Sequence, residues 1–323
     1  MSWFLVALIA YFLNAVAMTV DKTLLKKGGI ENPVVYTFYI AALGSVLMIF
    51  IIPFGFFLPS PIVMVAALLA GAVFAWALVL MFGALAKDDA TRVTAAIGGL
   101  VPVFVFILAW FILEEAFSLR QTIAAVLLIA GAFLMSLDFQ THGAWAWLKK
   151  KLGLTHGLEL PHIRRVLWLA LPAAALFGVA HTLTKFVYNS TPFLNGFIWT
   201  RLGSLVVVLL LLFSAKNRRD LKNSLRKNKK GKSSAAQKKS GLRFLFGQAC
   251  GGASALLQQY AIFLGSVALV NAVSGVQYAV VFILVVILSK TAPKLLKEKL
   301  TREVVIQKVL AIVIIAAGLY LIR

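Results

Sequence analysis

Ten apolar stretches of about membrane-spanning length run through the chain, and the last five repeat the first five. A helix needs roughly 20 apolar residues to cross a bilayer. Two copies of a five-span unit must sit upside down relative to each other, the arrangement on which many secondary transporters are built. The stretches predict helices at about 3–21, 34–52, 61–86, 93–113, 120–138, 166–187, 194–213, 242–264, 269–289 and 304–322. A mean hydropathy of +0.94 and 61% hydrophobic residues make lipid the natural solvent. The expected fold is an all-α polytopic membrane protein with ten transmembrane helices in two inverted five-helix repeats. Residues 1–138 form the first repeat, 139–165 connect, and 166–323 form the second, with a basic loop at 214–241.

The repeat is legible residue by residue. Met18-Thr19-Val20-Asp21-Lys22 ends the first stretch, and His181-Thr182-Leu183-Thr184-Lys185 ends the sixth. Gly44-Ser45 matches Gly203-Ser204. Val93, Ala95 and Gly98 match Val270, Ala272 and Gly275, Glu115 matches Glu298, and Gly131 matches Gly318. The shared order carries the inference, because single matches between apolar helices are common. Ala15-Val16-Ala17 has the form of a signal-peptidase site, but Met1-Ser2-Trp3 offers no basic region before it. The first stretch also has a counterpart in the second half, so it is read as a retained helix.

Gly98-Gly99-Leu100-Val101-Pro102-Val103-Phe104, then Leu113-Glu114-Glu115, then Gln121 and Gly131, resembles the EamA-type drug/metabolite transporters. The chain departs from the family pattern at Ala279, where the aligned proline would fall. The resemblance implies two inverted repeats around a central cavity, lined in part by the first and ninth helices. It also implies transport of a small metabolite by alternating access, with export the expected direction.

Basic residues crowd alternate connections: Lys22, Lys26 and Lys27; Lys149 to Lys151 with Arg164 and Arg165; the run from Lys216 to Arg243; and Lys290 to Arg302. Loop lysines and arginines stay cytoplasmic, so both termini are expected on the non-cytoplasmic face of an inner or plasma membrane. Relatives of this type imply the opposite orientation; the charge asymmetry decides here. The same distribution explains the net charge of +21 without nucleic acid. The basic loop is expected to be disordered, either a spacer that fixes topology or a contact to anionic lipid headgroups. Trp145 and Trp147 before the three lysines read as an interfacial anchor.

Charges deep in a bilayer are rare and usually functional or paired. Arg201, two turns into the seventh stretch and just after Trp199, is the sharpest case. It would clamp a carboxylate or phosphate through two parallel hydrogen bonds, or else snorkel to headgroups. His181 shares a helix face with Lys185 and would orient a solute, carry a proton or simply pack. Asn14 and Gln277 are the amides placed best to meet a cavity, with interhelical bonding as the alternative. Tyr278, Tyr39, Trp76 and Trp110 would supply aromatic wall. Gly247-Gln248-Ala249-Cys250-Gly251 allows close backbone approach, more within the bundle than between copies. Glu114-Glu115 has the look of a proton-coupling pair, although its place after the fourth stretch favours a helix-end role.

Enzyme signatures fail on chemistry. Asp88-Asp89 is followed by Arg92 where a Mg²⁺ site needs a third acid. Neither a zinc-protease helix motif nor a phosphate-binding loop with its lysine is present, and one cysteine makes neither a disulfide nor a multi-cysteine metal site. No metal or cofactor is expected. The reading is a secondary transporter of an amino acid, sugar or organic anion, acting as monomer or homodimer, with Arg201, Asn14, His181, Gln277, Trp199 and Tyr278 as substrate contacts and a coupling ion possible. The alternatives are a lipid or lipid-carrier flippase of the same fold, a membrane enzyme acting on lipid-linked substrates, and a scaffold whose working part is the basic loop.

Overall fold

A computed structural model describes residues 2–24, 32–86, 90–136, 160–229, 235–291 and 302–322. The Trp145–Trp147 anchor, Asp88-Asp89 and Glu298 lie outside them, as do the side chains of Asp21 and Lys22. The described residues contain helices and no strand. They are α1 (Trp3–Leu24), α2 (Pro33–Gly55), α3 (Pro61–Leu85), α4 (Ala90–Ile112) and α5 (Leu119–Ser136), then α6 (Leu160–Ser190), α7 (Phe193–Leu211), α8 (Ala215–Lys229), α9 (Ala235–Leu264), α10 (Val267–Ala272), α11 (Gly275–Thr291) and α12 (Arg302–Ile322). Every predicted stretch falls on a helix. Among the described residues, seven segments are long and apolar enough to cross a membrane by length and composition: α1, α2, α3, the last two-thirds of α6, α7, α10 with α11, and α12. α4 and α5 are apolar over shorter runs, 96–112 and 119–135. The protein is a multi-pass membrane protein.

Helix ends are set by local chemistry. Asn32 caps α2, its Oδ1 accepting from the backbone of Val34 and Val35, and Pro33 and Pro61 open α2 and α3 where a missing N–H costs nothing. Glu114 takes a left-handed conformation (φ 52°) that closes α4. Glu115 then accepts from the Ser266 hydroxyl at 2.5 Å and the Val267 N–H at 3.3 Å, at the start of α10. Lys185 donates to the carbonyls of Ile262 and Phe263, at 3.0 and 3.4 Å, at the end of α9. These charges serve helix ends, where the unpaired backbone groups and the helix dipole favour them.

Small residues set the packing. α1 lies along α9, and α6 along α3. Gly251 on α9 faces Ala17 on α1, and Ser254 donates to the Ala10 carbonyl at 2.7 Å, so the glycine-rich run is used inside the bundle. α5 and α12 meet through reciprocal contacts. A Cβ on Gly131 would meet Ile315 and the Ala311 carbonyl, and one on Gly318 would meet Leu128 and the Ala124 carbonyl. Each glycine thus meets the residues three and seven positions before the other.

Three features differ from the sequence reading. Where disorder was expected, the described residues of the basic segment 214–241 are helical over Ala215–Lys229 and again from Ala235. Asn217 donates to the Leu211 carbonyl at 2.7 Å, and Asp220 accepts from the Asn32 amide at 2.7 Å, which tethers α8 beside α2. α6 and α9 start earlier than their apolar stretches, because Arg and Lys are good helix formers outside lipid. The ninth stretch is also two helices. A tight turn through Val273 and Ser274 replaces α-helical bonds with shorter i to i+3 ones, including Val276 N–H to Val273 O at 3.0 Å.

Candidate functional site

Arg201 is the ninth of nineteen residues in α7, close to the middle of the span. It lines a small recess with Ala70, Gly71 and Phe74 from α3, Thr184 from α6, Thr200 and Ser204 from α7, and Gln259 from α9. The helices approach closely enough to form it because Gly71 and Gly203 lack side chains. A Cβ on Gly71 would fall 1.9 Å from the Thr200 carbonyl, and one on Gly203 would fall 2.2 Å from the Leu68 carbonyl. Ser204 donates to the Gly71 carbonyl at 2.9 Å across this contact. Gly44 on α2 leaves room for the arginine stem, 3.5 Å from where its own Cβ would stand.

The guanidinium lies over two rings, 4.9 Å from the Phe197 centroid and 5.7 Å from that of Phe74. Such contacts soften the cost of a cation within the span without neutralising it. The Nε of Arg201 is buried and has no hydrogen-bond partner. His181 is buried beside it, its ring 6.3 Å from Phe74 and stacked on Phe177 at 6.4 Å. Tyr188 donates to Gln259 Oε1 at 3.3 Å, one further turn along α6. His181, Thr184 and Tyr188 are spaced three and four residues apart, so they form one stripe facing α3, α7 and α9.

A second polar cluster lies across α9. Asn14 donates to Gln277 Oε1 at 2.6 Å, joining α1 to α11. Gln258 donates to the Tyr11 hydroxyl at 3.3 Å. Tyr278 fills the space left by Gly98, where a Cβ would lie 1.5 Å from the phenol oxygen. The structure therefore brings Arg201 and His181 together in one group, and Asn14, Gln277 and Tyr278 in another. Trp199 joins neither. Its indole N–H donates to the Phe57 carbonyl at 3.1 Å and its ring stacks on Phe56 at 5.7 Å, in the connection between α2 and α3. Sequence reasoning passed over Tyr11, Thr184 and Tyr188. The helical spacing of Thr184 and Tyr188 from His181 was the available signal. Among the described residues, no three His, Cys, Asp or Glu are grouped to hold a metal ion.

Comparison with known proteins adds a family and a fold. Residues 1–137 match the EamA-like transporter family. No curated protein matches the chain. A solved structure titled only "Crystal structure of protein" superposes with a TM-score of 0.61 at 15% identity, over 99% of this chain and 95% of that one. At that identity the likeness is one of fold.

Proposed function

We propose that this chain, EamA-like over its first 137 residues, is a secondary transporter that moves a small polar metabolite by alternating access. Its ten spans form two inverted repeats, 1–138 and 166–323, joined by 139–165. The observation that carries this reading is the exchange symmetry of the packing. α1 on α9 and α6 on α3 are the same pairing with the halves swapped. The Gly131 and Gly318 contacts are reciprocal in the manner of a two-fold axis. A bundle with that symmetry has two equivalent ways of closing, which is what a carrier needs.

The interior favours a carrier over a catalyst. The Arg201 pocket offers a fixed cation, an amide and aromatic walls, a set that binds and orients. Substrate contacts are assigned to Arg201 and His181 on one side of α9 and to Asn14, Gln277 and Tyr278 on the other. Charge asymmetry supports both termini on the non-cytoplasmic face, with α8 against the anionic inner leaflet. The test is uptake by purified protein in liposomes from a panel of labelled amino acids, sugars and organic anions, with a thermal-shift screen alongside, because a ligand that binds the folded state raises its apparent stability. Saturable uptake of one class, lost from protein-free vesicles, is the expected outcome. Binding without flux for every class would refute the reading.

A further inference from the structure

We propose that the solute is an organic anion held through a carboxylate or phosphate group at Arg201, and that the protein is an obligate exchanger whose cavity does not turn over while Arg201 is empty. This rests on the transporter reading above and adds a substrate class and a coupling rule to it.

The first argument concerns hydrogen-bond donors. In the Arg201 pocket, Thr184 donates its hydroxyl to the Ala180 carbonyl, Thr200 to Phe197 and Ser204 to Gly71. These hydroxyls are committed as donors. Tyr188 occupies Gln259 Oε1, which leaves the Gln259 amide N–H groups as the other donors beside the guanidinium. A pocket whose free donors are the arginine and an amide N–H recognises a group that accepts. Carboxylates and phosphates are such groups, and the planar guanidinium fork meets them in two parallel bonds.

The second argument concerns charge. The chain has eleven acidic residues. In sequence they lie at the ends of the apolar stretches or between them: Asp21, Glu31, Asp88, Asp89, Glu114, Glu115, Asp138, Glu159, Asp220, Glu298 and Glu303. Among the described acidic side chains, Glu114, Glu115 and Asp220, none is paired with Arg201. The partner must come with the solute. When the cavity closes around an unpaired guanidinium, it carries the penalty of a charge at mid-membrane, softened by the Phe74 and Phe197 rings. On insertion scales that penalty suppresses the empty closed state by up to about 100-fold. The loaded carrier passes through that state neutralised, so each return step requires another anion.

The full chain is reconstituted in phosphatidylcholine vesicles preloaded with inorganic phosphate, glycerol phosphate and succinate together, with glucose and alanine, or with zwitterionic buffer alone. Uptake of each labelled solute is then measured. The expected result is entry of a labelled anion into anion-loaded vesicles at up to about 100 times the rate into buffer-loaded ones. Arg201→Gln loses this stimulation, and Arg201→Lys, which keeps the charge, retains the dependence on internal anion at lower affinity. Equal anion entry into loaded and buffer-filled vesicles overturns the exchange rule. Uptake of glucose or alanine without any anion overturns the inference and leaves the transporter reading standing. Movement of no solute, with no anion raising the melting temperature of the wild type above that of Arg201→Gln, overturns both.

Discussion

Replacing Gly71 by Ala tests how closely α3 and α7 must approach for the Arg201 pocket to exist. The new Cβ would stand 1.9 Å from the Thr200 carbonyl oxygen and 2.7 Å from the Ser204 nitrogen. Both obstacles are backbone, so no rotamer change relieves them. A close carbon–oxygen contact is roughly 3.3 Å, and the two helices must therefore part locally by about 1.4 Å. Overpacking of this kind costs about 1–3 kcal/mol. The same displacement stretches the Ser204 to Gly71 bond, now 2.9 Å, out of reach, and an interhelical bond in a membrane protein is worth about 0.6 kcal/mol. The expected loss is about 2–4 kcal/mol.

Gly83 lies on the same helix and supplies the control, since a Cβ there meets nothing within 4 Å. Alanine at that position should be neutral or stabilising by up to about 1 kcal/mol through helix propensity. The assay is the apparent melting temperature of the detergent-solubilised protein. Gly71→Ala and Gly203→Ala should melt several degrees below the wild type, and Gly83→Ala at or above it. A Gly71→Ala protein as stable as Gly83→Ala would refute the close α3–α7 approach from which the pocket is argued.

Other expectations follow from single contacts. A double-mutant cycle on Asn14→Ala and Gln277→Ala should return a coupling of about 0.6 kcal/mol, and at most about 1.7, in the melting transition; additivity would mean that α1 and α11 are not joined there. Glu115→Ala removes the acceptor for Ser266 and Val267 and should cost about 1–2 kcal/mol of stability. Trp199→Phe should leave the anion-induced rise in melting temperature within about twofold in apparent affinity, because the indole serves the Phe57 carbonyl. Deleting residues 216–229 should leave most of the flux in liposomes, since α8 is held by Asn32 and touches no part of the pocket; abolished flux would favour the scaffold alternative.

The spans were legible because lipid enforces a simple rule: about 20 apolar residues, broken by polar or proline-rich connections. The places where reading failed are those where that rule is silent. α8 has almost no apolar surface, and what fixes it is a pair of side-chain amides, Asn32 and Asn217, that composition cannot weigh. The break at Val273 and Ser274 lies inside an apolar run with no proline, so hydropathy passes over it. Arg201 stood out by cost alone, and Asn14 and Gln277 by polarity in lipid. That the two amides meet each other, 263 residues apart in sequence, follows from the packing of α1 on α11 and from nothing local. Trp199 misled because two residues of separation from Arg201 is a rotation of about 200° on a helix, which turns the indole toward another connection.

The connections 56–60, 113–118, 191–192 and 265–266 share one face of the bundle, and side chains tie them together. Asn195 accepts from the Phe57 N–H and Trp199 donates to the Phe57 carbonyl. Glu115 holds the start of α10 through two bonds, and Lys185 holds the end of α9. The Trp3 indole closes over Gly265, 2.5 Å from where a Cβ would stand. At about 0.5–1.5 kcal/mol for each of these five bonds, opening this face costs a few kcal/mol before any packing is lost. A ligand shifts such an equilibrium only by as much as it prefers one state over the other. An anion on Arg201 supplies that preference, because it removes a charge penalty that is largest when the guanidinium is sealed from water. The latch favours the shut face whatever the arginine holds, whereas the charge penalty opposes sealing of the empty carrier. Passage through the sealed state therefore depends on whether the arginine holds an anion.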